Sequence, residues 1–214
     1  MNVQALINRV SLAIQDASFD DDDILGYINE GMEAVAGEVP LPALETETTI
    51  NSVASQGNTF LPDDFQTHLR YVYSNTTKTK ITILSSLVRL REESSEFEAG
   101  KIRRCAVAGE LLYYAPDSST AEELLIIYHA KPEEYTNTTD AETIIPSHIG
   151  PRILMSYACK EIYEFIEDGI DGQKVNVARW EQKYQEALEE LKMFLGPLYN
   201  RPTGEMGTTD MTGL

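Results

Sequence analysis

An α+β protein is expected here: a four-helix bundle formed from both chain ends, interrupted by an antiparallel β insert, with an extended C-terminal tail. Three observations lead to it. Apolar residues recur at helical spacing before Pro40 and again after Ile145. Between those stretches the period switches to two, in β-branched and aromatic runs separated by polar turns. From residue 197 onward Gly, Thr and Pro replace most apolar side chains, so that stretch buries little on its own. The expected domains are a helical bundle of 1–42 with 143–196, a β-rich insert of 43–142, and a flexible tail of 197–214 that docks to a partner.

Each element has its own signal. Val3, Leu6, Ile7, Val10 and Ile14 give a first helix over about residues 2–15. The run "DASFDDDD" interrupts it. Asp21 or Asp22 is expected to cap the next helix, with the other acids near its positive end. Ile24, Ile28, Met32 and Val35 form that helix's stripe, which stops before Pro40 and Pro42. "ETETTINSV" alternates, with Thr46, Thr48 and Ile50 on one face. "NTFLPDDF", "HLRYVYS" and "KITIL" read as strands and turns, and "SSLVRLREESSEF" as a short helix. "RRCAVAG" and "ELLYYAP" flank a hairpin turn at Gly109–Glu110. "ELLIIYHAKP" closes a set of five to seven mostly antiparallel strands. After the polar linker "YTNTTDAETI", Leu154, Ala158, Ile162 and Phe165 share a face of a third long helix, stopping at Gly169 or Gly172. Val177, Trp180, Tyr184, Leu188, Leu191 and Leu195 mark a fourth, ended by Gly196–Pro197.

Composition narrows the function. The 214 residues are 42% hydrophobic and 24% charged, ordinary for a globular protein. The net charge of -18 and pI near 4.4 are not. Such a charge repels phosphates and argues against a DNA-gripping surface. It is compatible with an acidic lining past which DNA slides, although a solvated acidic surface explains it more simply. Cys105 and Cys159 stand far apart with no metal-binding spacing, as expected for free thiols in a reducing compartment. No apolar run approaches the ~20 residues of a membrane helix. The start "MNVQALINRV" lacks the basic and apolar regions of a signal peptide. A soluble, unexported protein with no membrane partner is expected.

Catalytic chemistry finds little support. His68, His129 and His148 have Phe65, Ile126 and Ile145 three residues before them, so no Glu-x-x-His or HExxH exists. Nucleophile-elbow, dinucleotide and phosphate-loop motifs are missing too. Glu161 and Glu164 share a helical face, as in Mg²⁺-dependent all-α nucleotide hydrolases, but the second acidic pair those enzymes need is not there. Only Glu186 and Glu189 loosely substitute. Asp20–Asp23 lacks the alternation, central glycine and closing glutamate of a calcium loop, so capping explains it better. Neither a catalytic residue, a cofactor nor a metal site is expected. Lys101, Arg103 and Arg104 form one basic knot, too small for a nucleic-acid footprint but able to pair with acids of a neighbouring subunit. With Tyr113 and Tyr114 they are the candidate subunit or tail interface. Tyr71, Tyr73 and Tyr128 also fall on strands, as packing residues or as members of an exposed aromatic face.

Three segments in this order resemble bacteriophage head-to-tail connector (adaptor) proteins: "VQALINRVSLAIQD" followed by "DILGYINEGMEAVAGEVPLP"; "FLPDDFQTHLRYVY"; and "IYHAKPEEYTNTTDAETIIPSHIGPRILMSYACKEIYEFIEDG" leading to "ARWEQKYQEALEELKMF". The similarity covers about residues 2–195 and lies in pattern rather than identity. It implies a structural virion protein at the head-tail interface, assembled in the host cytoplasm. It further implies a ring, commonly dodecameric, that joins the portal to the tail or nozzle proteins and continues the channel for double-stranded DNA. The C-terminal extension would then reach the portal through Leu198, Tyr199, Asn200, Arg201, Pro202, Met206, Met211 and Leu214. Asp20–Asp23 and the glutamates of the last helix are candidates for the channel lining. A tail terminator or head-completion protein is the alternative of the same kind. The Glu161/Glu164 hydrolase is the enzymatic one.

Overall fold

A computed structural model describes residues 2–94, 100–137, 139–141, 143–167 and 174–196. Two compact units emerge. One contains the chain up to Leu44 and resumes at Lys131; the other is Glu45–Ala130.

The helical unit begins with α1 (Val3–Ile14), capped by the Asn2 side chain, which accepts from the Ala5 amide. Helix α2 (Asp21–Glu38) is capped by Asp20, not by Asp21 or Asp22. The Asp20 carboxylate accepts from the Asp22 and Asp23 amides, and Asp23 accepts in return from the Asp20 amide. Two later helices follow the β unit in sequence: α4 (Gly150–Glu167) and α5 (Val175–Leu195). Their stripes bury one continuous core, in which Leu6, Ile28, Met32, Ile153, Ile162, Leu188 and other side chains are closed to solvent. Gly31 lets α2 approach α4 closely: a Cβ there would sit 2.9 Å from Tyr157 Cδ1. Residues 131–137 and 139–141 belong to this unit. Asn29 Nδ2 donates to the Tyr135 carbonyl, and Asn29 Oδ1 accepts from the Tyr135 amide.

Among the described residues the β unit contains eight strands: β1 (Glu45–Asn51), β2 (Asn58–Phe60), β3 (Phe65–Ser74), β4 (Thr79–Lys80), β5 (Thr82–Ile83), β6 (Arg104–Ala108), β7 (Leu111–Ala115) and β8 (Glu123–Ala130). They form two four-stranded sheets, ordered β1-β8-β3-β4 and β2-β7-β6-β5. The first is antiparallel throughout. In the second, β5 runs parallel to β6. Both sheets contribute to one core through Val72, Ile126 and Tyr128 on one side and Cys105 and Leu112 on the other. Gly109, at φ +62°, turns β6 into β7. Glu122 ties the unit together from inside. Its buried carboxylate accepts from Ser74 Oγ at 2.7 Å and from the Ile102 amide at 3.1 Å.

The α+β class holds, but the expected four-helix bundle does not form. Among the described residues there are five α-helices, and one of them, α3 (Leu87–Ser94), lies inside the strand-rich segment. Leu90 anchors it among Leu84, Ala106 and Ala115. The helices from the chain ends centre on α4, against which α1, α2 and α5 each pack, instead of closing a ring of four equal neighbours. The β insert, expected as five to seven mostly antiparallel strands, has eight among the described residues, in two sheets whose one parallel pair is β5 with β6. The stops expected at Gly169 or Gly172 lie outside the described residues.

Candidate functional site

The basic knot stands at the start of β6. Lys101 and Arg103 are exposed, and Arg103 is fixed through its backbone, its amide donating to the Ala115 carbonyl. Arg104 turns toward α3, where Nη1 lies 2.7 Å from Glu93 Oε2 and donates to the Glu93 carbonyl at 3.2 Å. The two tyrosines diverge because neighbouring strand residues face opposite ways. Tyr113 is half-buried against the α3 side of the sheet. Tyr114 is only 2% exposed and belongs to the core. Its hydroxyl accepts from the Val53 amide at 2.9 Å and donates to the Asn58 carbonyl at 3.0 Å, pinning the loop between β1 and β2. The surface patch therefore consists of Lys101, Arg103, Arg104 and Tyr113. Leu198, Tyr199, Asn200, Arg201, Pro202, Met206, Met211 and Leu214 lie outside the described residues.

The enzymatic alternative finds its carboxylates already matched. Glu161 Oε1 is 2.8 Å from Lys160 Nζ, and Glu164 Oε1 is 3.6 Å from Lys174 Nζ. Lys160 also reaches Glu181 of α5 at 3.5 Å. Burial works against the Lys160 ammonium, but the two carboxylates outweigh it and hold its pKa above the ordinary lysine range. Among the described residues no group of three or more His, Cys, Asp or Glu side chains is arranged to hold a metal. Both cysteines are buried free thiols; burial pushes Cys159 up to about 12 and raises Cys105 as well.

One cluster escaped the sequence. Glu45 of β1, His68 and Arg70 of β3, and His129 of β8 meet across the first sheet. Arg70 Nε lies 3.5 Å and His129 Nε2 3.8 Å from Glu45 Oε2, and the two imidazole rings stand edge to face at 5.6 Å. His68 sits in a bulge of β3 at φ +55°. No sequence spacing could show this, because the three strands are adjacent only in the folded sheet order.

The geometry defines an α+β protein of two units, each with its own buried core and with ion pairs at its surface. Comparison with known proteins gives the family. The chain matches the SU10 adaptor protein family over residues 1–205 and belongs to that family of phage head-to-tail adaptors, which is structural and not an enzyme family. None of the curated proteins matches it. Among the described residues no helix is long and apolar enough to cross a membrane.

Proposed function

We propose that this chain is the subunit of an adaptor ring that docks on the portal, meets the tail or nozzle proteins and continues the DNA channel of the virion. The family match across residues 1–205 carries the reading. Charge supports it. Residues 1–44 and 131–196 hold twenty-one acidic side chains against eight basic ones, so DNA meets repulsion instead of adhesion along such a surface. Two compact units supply different surfaces, which head-to-tail closure of a ring requires. Residues 197–214 are the portal-docking segment. Lys101, Arg103, Arg104 and Tyr113 serve contacts with a neighbouring copy or the tail.

Electron microscopy of the purified protein mixed with portal tests this. Rings, dodecameric by the family resemblance, are expected on one end of the portal. Deleting residues 198–214 should abolish that docking while leaving the melting temperature unchanged. A protein that ignores portal but caps isolated tails is a terminator, and the adaptor reading then fails. Loss of folding on deletion would refute the docking role of the segment.

A further inference from the structure

The first sheet is unequal at its edges. β4 ends it with two residues, and the second sheet ends in strands of three and two residues, β2 and β5. At the other edge of the first sheet β1 runs for seven residues, and among the described residues no strand pairs with its outer side. Native sheets usually blunt their edges, because an unpaired strand is a template for another chain. The Asn51 carbonyl shows which groups point outward: it is turned from β8 and accepts from Thr59 Oγ1 at 2.9 Å. In an antiparallel strand alternate residues direct both backbone groups to the same side. Glu47 and Thr49 therefore present N–H and C=O on the open edge.

The side chains of the two edges are complementary. Glu45 and Glu47 are exposed on β1, and Lys80 is exposed on β4. They lie on one face. Thr49 pairs with Leu125, Leu125 with Tyr73, and Tyr73 with Lys80, while Glu47 shares the face of Thr49. The opposite face is the buried one, carrying Leu124, Ile126 and Val72. Strand direction also fits. β1 and β3 are both antiparallel to β8, and β4 is antiparallel to β3, so β1 and β4 run in opposite directions. A copy placed beside another, without inversion, sets β4 antiparallel to β1, with Lys80 level with Thr49 and Glu47 its diagonal neighbour two residues along the same face.

We propose that the first sheet continues between copies, the β1 edge of one subunit pairing with the β4 edge of the next. Such a contact is heterologous and closes into a ring when successive copies are related by rotation; it rests on the adaptor reading, which supplies that rotation, and assigns the surface that reading needs. The short β4 limits the backbone bonds, and the Glu47–Lys80 pairing sets partner and register.

Charge reversal tests it by sedimentation and electron microscopy of the full chain, with and without portal. Wild type should form rings. Glu47→Lys and Lys80→Glu should each raise the concentration for half-assembly by about tenfold or more, and the double variant should restore it. Thr49→Pro, which removes an outward amide at constant charge, should weaken assembly too. Unchanged circular dichroism melts verify folding of each variant. Rings indifferent to the single reversals, a double variant left unassembled, or wild type that stops at a dimer through paired β1 edges would each overturn the edge contact. Wild type that forms no ring even with portal instead sinks the ring reading, and the edge contact with it.

Discussion

His129 is 1% exposed, and neither of its ring nitrogens has a hydrogen-bond partner. The Glu45 oxygen nearby is shared with Arg70, which lies closer to it. Burial is the main force on the ring, and Arg70 and His68 add to it, so its pKa falls from 6.5 to about 4. The linkage has one direction. Above pH 6.5 both the folded and unfolded imidazoles are neutral and nothing changes. Below it the unfolded chain binds a proton that the folded chain refuses, so stability falls as pH drops from about 6.5 toward 4. The loss expected is roughly 2–4 kcal/mol. Urea unfolding of the β unit at pH 7.5 and pH 4.5 measures it, and His129→Leu should remove most of the difference. A smaller slope from His68, which burial also lowers, should remain. Equal pH dependence in both proteins would show that His129 is protonated in the fold.

Among the elements, α2 shows how local chemistry fixes a boundary. Asp20 accepts two amides, and Asp21, Asp22 and Asp23 fill the first turn, where the helix dipole favours negative charge. Asp20→Ala should cost the helical unit about 1 kcal/mol, or about 2–4 °C of melting temperature. Asp21→Ala should cost less, because it supplies no cap. Thermal melts followed at 222 nm check the order, and an equal loss for both would mean that charge alone matters. The helix itself was legible from the stripe Ile24, Ile28, Met32 and Val35; the cap was not, because four consecutive aspartates look alike. A stripe also shows that a face is buried without showing what covers it. That is why α4, packed on α1, α2 and α5, could not be told from one wall of a bundle. In the β unit, Tyr113 and Tyr114 are both expected at an interface, but strand neighbours face opposite ways and Tyr114 is buried. β4 and β5, split around Ile81, are too short to read separately. The Glu45–His129 cluster and the two edges of the first sheet depend on strand order, which no local period encodes.

At the scale of the whole molecule, the chain crosses between the units at two neighbouring points. Glu45, the first residue of β1, is the register partner of His129, next to the last residue of β8. Cα atoms in such antiparallel pairs are about 5 Å apart. The β unit therefore begins and ends at one place, holding its own core of Val72, Cys105, Leu112, Ile126 and Tyr128. The helical unit needs only that gap closed to keep its contacts around α4. Both pieces should then fold alone: Glu45–Ala130 as one protein, and the remaining chain with residues 45–130 replaced by a short Gly/Ser linker as the other. Dispersed amide resonances and a cooperative melt are expected from each, within several degrees of the matching transition in the full chain. Because the proposed intersubunit edges belong to β1 and β4, the linker-closed helical protein should also lose ring assembly while staying folded. A molten β fragment would show that its core depends on the helices. Rings from the linker-closed protein would place self-association on the helical unit, even though both pieces fold.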